Sequence, residues 1–459
     1  MAVKGGRLEL LVPHIVRGQL FRPGFVRFSL RLGAARQMPA WAKLQFTGGG
    51  ISPEELDQVL GRIKSLESWV DEWQTLGRHY ETLGQEAQAE GRNDDAAHAY
   101  MKASSAYSYS QYVVFLDVSR KRLLHEACVR AYAAAAPLLN PPAQPFVVGY
   151  RSTKMKGYLR VPPGATLAPV VVIINGTNSV KEELHDWSEC LLERGIATIT
   201  FDGPGMGQTF RRITMIATPH SVGAAILNAI EAHPELDADA IGFMGLSLGG
   251  YMAIRMAASD ARIKAVAAIS PPYAASIYWN VTLAAMRREL AALYGITEAE
   301  MGASIERVTL DGVIDKLEAP MMIVGGGHDH LTPSSEAWKI FEEARCEREM
   351  VFYPRGAHEC FNVIEDARPR VSGWLSRQLE KHRSRVARPA WEADGADSGN
   401  AAEAVDPDFA EALTGDVPRP VWNEMRSPGI AARWNPWSGH DRVPIEVVCR
   451  SIPGLNGNG

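Results

Sequence analysis

The chain has 459 residues, 46% of them apolar and 22% charged, with a formal net charge of −5. That length exceeds one core of ordinary size and predicts a main domain with additions, and the mild acidity excludes nucleic acid and anionic membrane surfaces as expected partners. Five widely spaced cysteines (Cys128, Cys190, Cys346, Cys360, Cys449) without a CxxC pair exclude a disulfide framework or a zinc site and predict a reducing, cytoplasmic setting.

Residues 1–50 give mixed signals and are assigned no element. The arginines there (Arg17, Arg22, Arg27, Arg31, Arg36) sit among apolar residues and fit a segment lying on the protein body better than a membrane-surface helix. No cleavable leader and no apolar run of about 20 residues is expected. Helical punctuation starts at Ser52-Pro53, where Glu55 completes a capping box. A long helix is predicted from Leu66 to Glu90, with Trp69, Trp73, Leu76, Tyr80 and Leu83 on one face. Gly91 can end it and Asn93 can cap the next, which runs through Ala97, Tyr100, Ala103 and Tyr107. A third helix spans about Ser119 to Ala136, before Pro137, Pro141 and Pro142 break the chain. The region 1–142 therefore reads as mainly helical.

The rhythm then changes. Phe146–Tyr150 and Met155–Val161 read as a strand pair. Strands follow at Val170–Ile174, Ala197–Phe201, Ala240–Met244, Ala265–Ile269, Met321–Val324 and Met350–Tyr353. Helices alternate with them near 182–193, 221–232, 248–258, 335–343 and 371–381. Near-continuous apolar strands alternating with helices predict a mostly parallel sheet covered on both faces, with a site at the C-terminal ends of its strands. The catalytic domain is thus placed at 143–382, with a lid-like insertion at 271–319. The extension 383–459 is rich in Gly, Pro, Asp and Ala and reads as largely irregular. Its Trp391, Trp422, Trp434 and Trp437 also suit a strap laid across the body of the same or a partner subunit.

The strongest chemical signal is Gly245-Leu246-Ser247-Leu248-Gly249-Gly250, a GxSxG between a predicted strand and a predicted helix. A serine in such a turn needs glycines where side chains would clash, and the helix that follows points its positive end at developing negative charge. Ser247 is the expected nucleophile, and it needs a histidine base oriented by a carboxylate. In the order serine, acid, histidine, Asp329 follows the strand Met321–Val324 and His358 follows the last strand. His328 and His330 flank Asp329, but neighbours on one loop make a poor metal site. Glu359 is the rival acid and is expected to face away from its neighbour His358. Cys360 is expected to be a buried, inert thiol, and His185, His220 and His233 surface or helix-end residues. The expected oxyanion donors are the backbone N–H groups of Leu248 and Thr177. Lys181-Glu182-Glu183 reads as a helix start whose acids suit the dipole, and Asp202-Gly203-Pro204-Gly205-Met206-Gly207 as a shaped structural turn. Tyr278 and Trp279 are candidate substrate contacts. No metal or cofactor is implied.

These motifs, the Asn175-Gly176-Thr177 loop and the helix Ala97–Tyr107 resemble the α/β-hydrolase group of 2,6-dihydroxypseudooxynicotine hydrolase and the fermentation–respiration-switch-protein-like esterases, over roughly residues 50–382. The resemblance implies an α/β-hydrolase fold with an N-terminal helical cap, a small-molecule carbonyl substrate and often a homodimer. It also implies chemistry that includes hydrolysis of a carbon–carbon bond next to a ketone. Plain carboxylesterase or thioesterase action is the alternative, and a catalytically dead scaffold is a third.

Overall fold

The computed structural model describes residues 28–383, apart from 39, 115–116, 178, 211, 214–218, 282–286, 289–290 and 293–294, together with 447–451. Helices come first: α1 (Ala40–Gly48), α2 (Pro53–Arg62), α3 (Leu66–Ala89), α4 (Asn93–Ser110) and α5 (Val118–Ala135). The capping box opens α2 as read, with Ser52 Oγ accepting from Glu55 N and the Glu55 carboxylate accepting from Ser52 N. Of the apolar face of α3, Trp69, Trp73 and Tyr80 are buried, while Leu83 is exposed. Phe46 of α1 stacks on Trp73 at 5.2 Å and meets Tyr109 of α4 edge-on at 4.8 Å. Aromatic burial of this kind holds the helices to one another. Among the described residues no helix is long and apolar enough to cross a membrane.

The second half builds one sheet, with strands β1 (Gln144–Tyr150), β2 (Thr153–Arg160), β3 (Ala168–Ile174), β4 (Ala197–Phe201), β5 (Leu236–Leu246), β6 (Ile263–Ile269), β7 (Met321–Gly326), β8 (Arg348–Tyr353) and β9 (Val447–Ser451). Their order is β1-β2-β4-β3-β5-β6-β7-β8-β9. The β1–β2 hairpin joins β4 antiparallel, and every neighbouring pair from β4 to β8 is parallel. Side chains of β3 separate by parity: Val170, Val172 and Ile174 enter one core, Val171 and Ile173 the other. The first core is shared with α7 (Pro219–Glu231), α8 (Leu248–Ala257) and α11 (Ser334–Glu343), through Ile226, Met252 and Ile340. The second is shared with α6 (His185–Leu192) and α12 (Ile364–Glu380), through Trp187 and Trp374. Between β6 and β7 lie α9 (Ser276–Val281) and α10 (Glu298–Glu306). The fold is a mostly parallel α/β sheet, as the alternation predicts, with a helical region before it.

One expectation needs correction: the last helix starts at Ile364 rather than Val371, with Pro369 inside it. Within the extension past 383, Val447–Ser451 pairs antiparallel with β8, from Phe352↔Val447 to Arg348↔Ser451. The four tryptophans of that extension lie outside the described residues.

Candidate active site

Strand β5 passes into α8 through Ser247, whose backbone has φ 52° and ψ −121°. A non-glycine residue held there stores on the order of 1–3 kcal/mol of strain. The neighbouring glycines show why no other turn fits. A Cβ on Gly245 would lie 2.2 Å from the carbonyl carbon of Gly249, and one on Gly249 2.4 Å from the carbonyl oxygens of Ile174 and Asn175. The turn is thus pressed against the end of β3, while Ser247 N donates to Ile269 O of β6 at 2.7 Å. Leu248 opens α8, so its N–H precedes the first intrahelical bond and carries the helix's positive end.

Asp329 lies beyond β7 and His358 beyond β8, on the same sheet edge as Ser247. Asp329 Oδ1 accepts the N–H groups of Leu331 (2.9 Å) and Thr332 (2.7 Å), which fixes a carboxylate that is only 8% exposed. His358 Nδ1 meets Asp329 Oδ2 at 2.8 Å and Oδ1 at 3.0 Å. An imidazole held through Nδ1 by a buried carboxylate keeps Nε2 available to accept a proton. His328 and His330 are exposed on the same loop.

Past β3, Gly176 and Thr177 complete the rim. A Cβ on Gly176 would lie 3.4 Å from Ser247 Cβ. Gly176 N donates to Ser179 Oγ at 3.1 Å, and the exposed Thr177 has no partner among the described residues. The buried Asn175 ties this loop to the next one: its Oδ1 accepts from Gly203 N at 3.0 Å and its amide N–H donates to Ser179 O.

The two proposed substrate contacts separate. The Tyr278 hydroxyl is hydrogen-bonded with Ser247 and lies 2.6 Å from Thr332 Oγ1, and burial pushes its pKa up to about 12. Trp279 turns to α10, where its Nε1 lies 3.2 Å from the Cβ position of Gly302, and the Arg287 guanidinium sits 5.6 Å from its ring centroid. Trp279 has no hydrogen bond with Ser247 among the described residues. Adjacent residues on a six-residue helix diverge by about 100°, so one faces the serine and the other cannot.

Glu359 contradicts the expectation that it faces elsewhere. Its Oε1 lies 3.8 Å from His358 Nε2, on the side of the ring opposite Asp329. The left-handed backbone of Glu359 (φ 54°) and Cys360 (φ 56°) swings the carboxyl back beside its neighbour, a turn that residue order alone does not reveal. The Cys360 thiol is fully buried, and burial first, then Asp329 and Glu359, raise its pKa, as expected of an inert thiol.

Lys181-Glu182-Glu183 is also more than a helix start. Lys181 Nζ, itself buried, donates to Glu182 Oε1 (2.6 Å), Gln208 Oε1 (3.0 Å) and Asp202 Oδ2 (3.2 Å), while its backbone N–H donates to Asp202 Oδ1 at 3.0 Å. His125 of α5 approaches Glu182 Oε2 at 3.4 Å. Burial alone lowers a lysine's pKa, but Asp202 and Glu182 raise that of Lys181 above the ordinary value. Burial raises that of Glu182, and Lys181 and His125 more than reverse it. The donor atoms of His125, Glu182 and Asp202 converge closely enough to hold a cation, and the Lys181 ammonium fills that role. Glu183 accepts from Ser108 and, at 2.7 Å, from Tyr112 of the helical region. The turn Lys181–Leu184 therefore fastens α4 and α5 to the loops beyond β3 and β4. Lysine and carboxylates side by side after a strand were the available signal, but the partners at 108, 112, 125 and 202 are remote in sequence.

With this geometry in hand, likeness to known proteins becomes informative. Residues 47–290 match the profile of the FrsA-like esterases. The chain belongs to the FrsA-like esterase family. Residues 222–377 also match the acetyl xylan esterase profile. The chain is 28% identical over 344 residues to 2,6-dihydropseudooxynicotine hydrolase of Paenarthrobacter nicotinovorans, covering 74% of this chain and 91% of that one. It is 31% identical to the alpha/beta hydrolase ucsC of an Acremonium species, spanning about half of each (49% and 51%). The crystal structure of 2,6-dihydroxy-pseudo-oxynicotine hydrolase superposes with a TM-score of 0.67 at 27% identity, covering 74% of this chain and 97% of that one. The chain is an α/β-hydrolase enzyme of that group.

Proposed function

We propose that the chain hydrolyses a small or medium carbonyl compound through an acyl-enzyme on Ser247. Ser247 Oγ attacks the carbonyl carbon while His358 Nε2 takes its proton, and Asp329 holds the Nδ1–H and stabilises the imidazolium. The carbonyl oxygen becomes an oxyanion facing the N–H groups of Leu248 and Thr177. Collapse breaks the bond to the leaving group, which receives the proton from His358. Water, deprotonated by the same imidazole, then releases the acid. The observation that carries this reading is the Asp329–His358 hydrogen bond (2.8 Å) on the sheet edge where Ser247 sits at φ 52°. Tyr278 contacts the substrate at the nucleophile, the helical residues up to 142 cap the pocket, and the enzyme works in the cytoplasm, as a homodimer.

The leaving group is an alkoxide, a thiolate, or the carbanion of a β-keto compound. The similarity to a hydrolase of a pseudooxynicotine favours including the last. Purified enzyme assayed on p-nitrophenyl esters and on aryl β-diketones separates the cases. Turnover of both classes is expected; turnover of esters alone would confine the enzyme to carboxylesterase or thioesterase chemistry.

A further inference from the structure

Glu359 is 7% exposed, and its carboxyl has no hydrogen bond among the described residues; the titratable His358 Nε2 lies 3.8 Å away. Burying a carboxylate without donors costs several kcal/mol, so such a group either carries a proton or awaits a partner. Its placement points to the partner. The position a Cβ on Gly176 would take lies 2.8 Å from Glu359 Oε1 and 3.4 Å from Ser247 Cβ. Nucleophile, base and carboxyl therefore converge on one small space beside the loop beyond β3. The backbone is strained to achieve this. Five non-glycine residues among those described have positive φ, and Ser247, Ser270, Glu359 and Cys360 are four of them. Ser270 Oγ accepts the Glu359 N–H at 3.0 Å, which locks one strained residue to another. Strain of this kind gathers where geometry serves a site.

We propose that Glu359 is a further catalytic residue of the serine site, donating a hydrogen bond from its carboxyl O–H to an oxygen of the substrate bound at Ser247. This rests on the acyl-enzyme reading above. Negative charge develops on substrate oxygen in the transition state, so a neutral donor there stabilises it, whereas a carboxylate opposes it. The charged and titratable groups around Glu359 are His358, Asp329, Glu183, Cys360 and, from the helical region, Tyr112. Burial first, and then Asp329, hold its proton on more tightly than in an ordinary glutamic acid, while His358 acts in the opposite direction.

The test compares Glu359→Gln and Glu359→Ala with the parent enzyme on p-nitrophenyl butyrate across pH. The amide of Gln still donates, so Glu359→Gln should keep kcat within about threefold, and Glu359→Ala should lose about 100-fold, as for a missing oxyanion donor. Parent activity should fall as pH rises through the ionisation of this carboxyl, which burial moves upward, and Glu359→Gln should lack that limb. Equal losses in Gln and Ala, or parent-like kcat and pH profile in both, overturn the proposal. Should Glu359→Ala not fold, Glu359→Met replaces it and is read in the same way. Labelling of Ser247 by a fluorophosphonate in each variant shows that nucleophile and base are intact, so failure of the serine reading is told apart from failure of this one.

Discussion

Two buried polar clusters lie at the C-terminal ends of the strands, and they are built on opposite terms. Around Lys181 every charge has a partner: the ammonium meets two carboxylates and an amide oxygen, and Glu182 also meets His125. Around Ser247 the backbone is strained at four side-chain-bearing residues, and Glu359 has no donor among the described residues. A saturated network can only hold parts together, because a partner gained is a partner lost. An unsaturated one on a strained backbone is ready to bind something else. The contrast separates the fastening of the helical region from the chemistry of the sheet edge, although both are acidic, histidine-containing and buried.

Breaking each cluster in turn should give effects of different kinds. The largest is Asp329→Asn, which keeps the shape but holds the imidazole in the wrong tautomer; kcat on p-nitrophenyl butyrate should fall about 10⁴-fold with little change in thermal midpoint. Next is Lys181→Met, which leaves Glu182 and Asp202 buried beside each other without their cation. Urea unfolding should show a loss of about 3–5 kcal/mol, while kcat of the still-folded enzyme stays near the parent value. A Lys181→Met enzyme that is stable but inactive would erase the distinction.

The smallest effect concerns pH. Burial first raises the Glu183 pKa from 4.5 to about 7, against hydrogen bonds from Ser108 and Tyr112 and with help from Glu359 and Glu182. The folded state therefore holds this proton more tightly than the unfolded chain. Its contribution to stability is complete below about pH 4.5 and is lost as pH rises through about 7. Unfolding free energy measured between pH 4.5 and 8 should decline, and Glu183→Gln should flatten that decline. A steeper decline in the variant would contradict the assignment.

Much of this was legible because the signals are local. The strand before Ser247, the glycines around it and the helix after it lie within a few residues, and Asp329 and His358 follow strands of their own. In the first region α2 was readable through its capping box and α3 and α4 through their aromatic spacing. By contrast, α1 lies in residues that carried no clear signal, and α4 is capped at Arg92 without a side-chain bond rather than by Asn93. What stayed hidden depends on contacts between distant segments or on single dihedral angles. Glu183 finds Ser108 and Tyr112 more than 70 residues away, and β9 pairs with β8 across nearly a hundred. The direction of Glu359 depends on a left-handed backbone at a non-glycine residue, a conformation that residue type argues against. Tyr278 and Trp279 were indistinguishable as neighbours, and only their places on a short helix told them apart.

Chemical trapping of the nucleophile tests the central claim most directly. Treated with a fluorophosphonate and mapped by mass spectrometry, the enzyme should carry one adduct, on Ser247, with activity lost in proportion. Ser247→Ala should be folded, unlabelled and inactive. An adduct on another residue, or turnover retained by Ser247→Ala, would contradict the account.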